Sequence, residues 1–315
     1  MTIALTFPGQ GSQSVGMGKA FFGQFKVAKD VFSEIDEALG QNLSTLMFEG
    51  PEDELTLTAN AQPALMAVSL AALRVLEQEA GLDLKKHVAF VAGHSLGEYS
   101  ALAAVGSLML ADTARLLRIR GNAMQAAVAP GVGAMAALLG LDFEIAARVA
   151  AEAAQGEVCQ AANDNGGGQV VVSGSKAAVE RAMELAKAQG ARRAVMLAVS
   201  APFHCSLMQP AADAMAEALA KVSISAPIVP VVGNVSAKAG SDPAALREAL
   251  VAQVTGTVRW HESVEWMAGQ GVNRFIEVGS GKVLTGLVKR IAAEAEGFSV
   301  SNPDDVVSFR TQVVL

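Results

Sequence analysis

Gly93-His94-Ser95-Leu96-Gly97-Glu98 is the stretch of this chain best suited to chemistry. A serine flanked two residues away on each side by glycine, after an apolar run at 87–92 and before helix-forming residues at 99–105, has the form of a nucleophile elbow. The glycines let strand and helix approach closely while the serine hydroxyl is lifted past the sheet edge. The backbone N–H of Leu96 then lies where an oxyanion would form on a group attacked by Ser95. A second reading uses the same letters, because Ser95 and Glu98 also have the S-x-x-E spacing of a capping box.

A serine nucleophile needs a proton acceptor. Of the four histidines, His87 and His261 read as surface or helix-end residues, and His94 is held in the turn with its side chain expected to point away. His204, ahead of a helix expected at 206–222 and at a junction between lobes, is the candidate base. A helix expected over 112–129 puts Leu116, Leu117, Ala123, Met124, Ala127 and Val128 on one arc with Arg120 among them. An arginine on an apolar face needs an anion. Either an internal carboxylate pairs with it, or it receives a substrate carboxylate with its planar guanidinium.

Strands are expected at 2–7, 87–92, 229–232 and 274–278, with helices at 19–39, 63–80 (opening on Pro63), 243–251, 261–271 and 283–293. Alternating strands and helices imply a parallel sheet covered on both faces. Between them the rhythm changes: strand 134–139, helix 142–155, strands 158–162 and 169–173, helix 176–189, strand 192–197. That order is β-α-β-β-α-β, the ferredoxin-like pattern, and residues 130–198 read as a small domain inserted between 1–129 and 199–315. Residues 163–168 read as the turn between its middle strands. A final strand is expected at 306–309, followed by a loose tail.

With 315 residues, half of them hydrophobic, the chain can bury a large core. A formal charge of −7 and no basic run argue against nucleic acid or an anionic membrane as partner. The uncharged runs at 122–141 and 194–212 are interrupted by proline and by glycine or polar residues, so no membrane span is expected. No signal peptide is read at the N-terminus. Two cysteines, Cys159 and Cys205, make no disulfide framework or metal-ligand spacing, which suggests a reducing compartment. Gly9, Gly11 and Gly16 give G-x-G-x4-G, not the dinucleotide fingerprint.

Taken together, Phe7-Pro8-Gly9-Gln10-Gly11-Ser12-Gln13, the elbow, Arg120-Gly121 with Met124-Gln125, and Phe203-His204 resemble the malonyl-CoA:acyl carrier protein transacylases of fatty acid synthesis, over essentially the whole chain. The resemblance implies an α/β-hydrolase-like core with a ferredoxin-like insert, in agreement with the pattern above. It implies Ser95 as nucleophile, His204 as general base, the backbone N–H groups of Gln10 and Leu96 as oxyanion hole, and Arg120 as clamp for the malonyl carboxylate. It further implies that Met124 and Phe203 bound the acyl pocket, that Asn163 supports the site, and that Gln253 orients His204 through its backbone carbonyl. No cofactor or metal is expected; the substrates would be malonyl-CoA and phosphopantetheinylated acyl carrier protein, handled by a cytoplasmic monomer. Rival readings are a serine thioesterase or esterase on the same elbow, a malonyl transferase serving polyketide synthesis, and a non-catalytic carrier or scaffold protein with this fold.

Overall fold

The computed structural model describes residues 2–313. Its strands in chain order are β1 (Ile3–Phe7), β2 (Val88–Gly93), β3 (Gly133–Leu139), β4 (Cys159–Asp164), β5 (Gln169–Ser175), β6 (Arg193–Met196), β7 (Val231–Val232), β8 (Ala239–Gly240), β9 (Val258–Arg259), β10 (Arg274–Val278) and β11 (Glu296–Val300). They form two sheets, ordered β11-β10-β1-β2-β7-β8 and β6-β3-β5-β4-β9. In the first, β11, β10, β1, β2 and β7 run parallel and β8 runs antiparallel to β7. All five residues of β1 are buried, the pattern of a strand covered on both faces.

The covering layer is dominated by the Thr58–Ala80 helix, apolar nearly all round. By length and composition it could cross a bilayer, but it runs through the core, with 83% of its most apolar window buried inside the protein. It crosses the Leu110–Ala126 helix at Gly121, where a Cβ would stand 2.6 Å from Ala59 Cα. Only glycine permits that approach, and it brings Arg120 beside Thr58 and Gln62.

The second sheet belongs to a β-α-β-β-α-β unit with helices Phe143–Ala154 and Lys176–Ala188 and a core of its own that includes Leu138, Val149, Val170 and Val179. The architecture is α/β: an α/β-hydrolase-like core carrying a ferredoxin-like subdomain. The second sheet also takes a strand from later in the chain. β9 pairs in parallel with β4, in the register Asn163↔Val258 and Asp164↔Arg259.

Several local expectations are corrected. The helix expected at 19–39 is two, Lys19–Gln24 and Lys26–Leu39, broken by extended backbone at Phe25. The break lets Phe21 and Phe32, on different segments, both reach the core. The helix expected to open at Pro63 begins at Thr58, so the proline lies inside it. Short helices Leu43–Glu49 and Glu52–Thr56 were not anticipated. The segment at 206–222 is a 3₁₀ turn, Ser206–Met208, leading into a helix that ends at Leu219. β4 extends through Asp164, so the turn after it begins at Asn165 and uses Gly166, Gly167 and Gly168, all at positive φ. In place of a strand at 306–309 there is a helix, Pro303–Gln312, opened by an Asn302 capping box, and the last strand lies earlier, at Glu296–Val300. The end of the expected tail, residues 314–315, lies outside the described residues.

Candidate active site

Ser95 stands at the turn from β2 into the Gly97–Ala104 helix with φ of 54°, a left-handed conformation that a non-glycine residue adopts only when its surroundings hold it there. The neighbouring glycines make that turn possible. A Cβ at Gly93 would lie 1.9 Å from the Gly97 carbonyl, and one at Gly97 would lie 2.3 Å from the carbonyl oxygen of Phe7 at the end of β1. Two bonds from Asn234 fix the elbow from below: its Oδ1 accepts from the Ser95 N–H at 2.7 Å, and its Nδ2 donates to the Gly93 carbonyl at 2.6 Å.

The Ser95 hydroxyl lies 2.7 Å from His204 Nε2. The other ring nitrogen, Nδ1, lies 2.9 Å from the backbone carbonyl of Gln253. A carbonyl only accepts, so Nδ1 carries the hydrogen and Nε2 presents its lone pair to the serine. His204 is buried and also has a positive φ, 58°. Burial, with a smaller contribution from the Arg120 charge, pulls its proton affinity down to about 3. The imidazole is neutral throughout the range in which a base is required.

Arg120 is 2% exposed, and its Nη2 lies 3.2 Å from Ser95 Oγ. Its remaining partners are amides: Nη1 donates to Gln62 Oε1 at 2.8 Å and Nη2 to Gln253 Oε1 at 2.9 Å. The Tyr99 ring centroid lies 5.7 Å from the guanidinium carbon. Burial lowers the arginine's proton affinity, opposed by Tyr99 and Glu98. Of the two alternatives left open by the sequence, the internal ion pair is absent: no carboxylate pairs with Arg120 among the described residues. The capping-box reading of Ser95 fails as well. The hydroxyl faces His204, the helix has Leu96 at its N-cap with no side-chain cap, and the Glu98 carboxylate is bonded elsewhere.

The backbone N–H groups of Gln10 and Leu96 donate to no protein group among the described residues, and Leu96 heads the helix that follows Ser95. The Gln10 side chain is tied to the arginine by a chain of hydrogen bonds. Thr58 Oγ1 donates to Gln10 Oε1 at 2.8 Å, Gln62 Nε2 donates to Thr58 Oγ1 at 2.9 Å, and Gln62 accepts from Arg120.

Gln10, Gln62, Ser95, Arg120 and His204 line a cavity of about 1290 Å³ between the two lobes, whose wall also includes Met124, Phe203, Met135 and Val171. Asn163 lines it without a side-chain hydrogen bond to protein among the described residues. Asn165, two residues on, makes the contact instead, with Oδ1 2.9 Å from His94 Nε2. His94 therefore does not point away, as expected, but lines the cavity and touches the small lobe.

Sequence reasoning missed Gln62, Glu98, Asn165 and Asn234 as members of this network. Glu98 carried a signal, as the one charged residue of its helix, whereas Gln62 follows Thr58 and Asn60 and does not stand out. Asn165 and Asn234 lie in loops, where asparagine is commonplace.

A family model described as acyl transferase domain matches residues 5–302. The chain belongs to the acyl transferase family. It is 48% identical over 309 residues to the Salmonella typhimurium protein named malonyl CoA-acyl carrier protein transacylase, covering 98% of this chain and 99% of that one. Among solved structures, the acyl-carrier-protein-S-malonyltransferase from Bartonella henselae superposes with a TM-score of 0.96 at 57% identity over 100% of both chains. Another acyl transferase relative, a malonyl-transacylase solved in complex with a type II PKS acyl-carrier protein, gives a TM-score of 0.94 at 44% identity over 98% of both chains. Family membership makes this chain an acyltransferase.

Proposed function

We propose that this enzyme transfers a malonyl group from malonyl-CoA to the pantetheine thiol of acyl carrier protein, by way of a malonyl ester on Ser95, and so supplies fatty acid synthesis. The observation that carries this reading is the position of Arg120, a buried guanidinium 3.2 Å from Ser95 Oγ whose other hydrogen-bond partners are amides and which pairs with no carboxylate among the described residues. A short diacid attached as a thioester would have its reacting carbon at Ser95 and its free carboxylate at Arg120.

His204 Nε2 takes the hydroxyl proton as Ser95 Oγ attacks the thioester carbon. The Gln10 and Leu96 N–H groups stabilise the tetrahedral oxyanion, already oriented by their loop and helix. As the C–S bond breaks, the imidazolium returns its proton to the departing CoA thiolate. The Gln253 carbonyl on Nδ1 orients the ring in the place where a triad would use an aspartate. In the second half, His204 takes the proton of the pantetheine thiol, the sulfur attacks the ester, and Ser95 leaves with the proton restored. Met124 and Phe203 bound the acyl pocket, and Asn163 lines the passage.

The same reading takes 1–129 and 199–315 as the catalytic domain and 130–198 as the inserted lobe. It calls for no cofactor, and it treats the protein as a cytoplasmic monomer.

Incubation with malonyl-CoA followed by intact mass measurement is expected to give one malonyl adduct that moves to holo acyl carrier protein and is lost in Ser95→Ala. Release of free malonate with no transfer to the carrier would make the protein a hydrolase and overturn the reading.

A further inference from the structure

Glu98 is a carboxyl group, 1% exposed, that the transfer chemistry above does not use. Its Oε2 accepts from Gln253 Nε2 at 2.7 Å and from the Asn234 N–H at 3.2 Å. Gln253 in turn faces the site in two ways, its backbone carbonyl toward His204 Nδ1 and its amide oxygen toward Arg120 Nη2.

We propose, resting on the function assigned above, that Glu98 is a positioning residue for malonyl transfer: it fixes which way round the Gln253 amide stands, and thereby holds Arg120 toward the acyl pocket. The argument is one of donors and acceptors. Gln253 Nε2 lies against Glu98 Oε2 and, at 2.9 Å, the backbone carbonyl of Ser95, so both groups on that side accept. The amide oxygen is left for the guanidinium, which only donates. Turned over, the amide would set NH₂ against a guanidinium and oxygen against two acceptors. Each of these contacts loses a hydrogen bond in a buried site. Glu98 reaches the nucleophile by a second route, because the Asn234 it holds is the residue that bonds both Ser95 N–H and Gly93 carbonyl.

The role belongs to the acceptor atom and its reach, not to the charge alone. Three full-length variants separate these possibilities. Glu98→Gln keeps an oxygen at the right distance, Glu98→Asp keeps the charge but withdraws it by one methylene, and Gln253→Met keeps the backbone carbonyl for His204 but removes the amide. The readout is the ratio of Ser95 acylation rates by malonyl-CoA and acetyl-CoA, measured by intact mass, since only malonyl uses Arg120.

Wild type is measured first, and failure to prefer malonyl would refute the functional reading itself before Glu98 is at issue. Given that preference, Glu98→Gln is expected to retain the ratio within about threefold. Glu98→Asp and Gln253→Met are expected to lower it by about 30-fold or more, chiefly by raising KM for malonyl-CoA. An unchanged ratio in Gln253→Met, or a loss in Glu98→Gln as large as in Glu98→Asp, overturns the proposal. A purely structural role would slow both acyl donors together. A retained ratio in Glu98→Asp overturns the proposal too; should that variant fail to fold, Glu98→Ala takes its place under the same criterion.

Discussion

Arg120 Nη2 donates to Gln253 Oε1 at 2.9 Å, so the guanidinium beside Ser95 is held by an uncharged amide. No protein carboxylate within ion-pair distance competes, among the described residues, with a carboxylate brought to this guanidinium. Replacing Arg120 by alanine is expected to reduce malonyl transfer by roughly 10²- to 10³-fold in kcat/KM while changing acetylation of Ser95 by less than about tenfold. Parallel rate measurements with the two thioesters check this, and equal losses would remove the clamp from the mechanism.

Gly97 approaches the end of β1 so closely that a Cβ would stand 2.3 Å from Phe7 O and 2.9 Å from Pro8 O. Both obstructing atoms are backbone, so the strand or the helix must shift. Gly97→Ala is expected to lower stability by about 1–3 kcal/mol and to reduce acylation of Ser95 more than the lost folded fraction explains. Denaturant unfolding and a mass-based acylation assay at matched folded protein separate the two effects.

Burial depresses His204 to about 3 from an ordinary 6.5. The folded chain refuses a proton that the unfolded chain accepts, so this contribution to stability is complete above about 6.5 and is lost as pH falls from there toward about 3. For catalysis, kcat/KM for acylation should show no acid limb centred near 6.5. The measurement is best made in Glu98→Gln, which removes the neighbouring carboxyl that titrates in the same range. A limb at 6.5 in that background would mean that His204 is as exposed to solvent as a surface histidine.

Glu98 is displaced the other way, raised by burial from 4.5 to about 7 despite its bonds to Gln253 and Asn234 and the charge of Arg120. Here the folded chain holds a proton that the unfolded chain releases. The associated stability is complete below about 4.5 and is lost as pH rises through about 7. Urea unfolding of wild type and Glu98→Gln across that interval should show the variant gaining on wild type with rising pH and levelling off above it. A constant difference would place the Glu98 carboxyl in contact with water.

What could be read in advance divides along a physical line. The elbow, Arg120 and the β-α-β-β-α-β rhythm were legible because each is a local pattern: a glycine spacing, a charge on an apolar arc, an alternation of periods. Gln253 and Asn163 could be named only through family likeness, since nothing near them in sequence announces a role. The bonds that join Ser95 to Asn234 and Arg120 to Gln62 span 139 and 58 residues, and no local pattern encodes such separations. At the C-terminus the error was one of weighting. Val306, Val307 and Phe309 suggested a strand, while Asn302-Pro303-Asp304-Asp305 immediately before them is a helix-opening signal that takes precedence.

The short pairing of β9 with β4 runs from the main lobe into the sheet of the small one. Backbone stitching of this kind ties the two walls of the cleft together, so the small lobe is poorly suited to act as a flap. The pairing is a hinge-opposing seam: any outward swing of the small lobe at β4 would have to break the Asn163–Val258 and Asp164–Arg259 register.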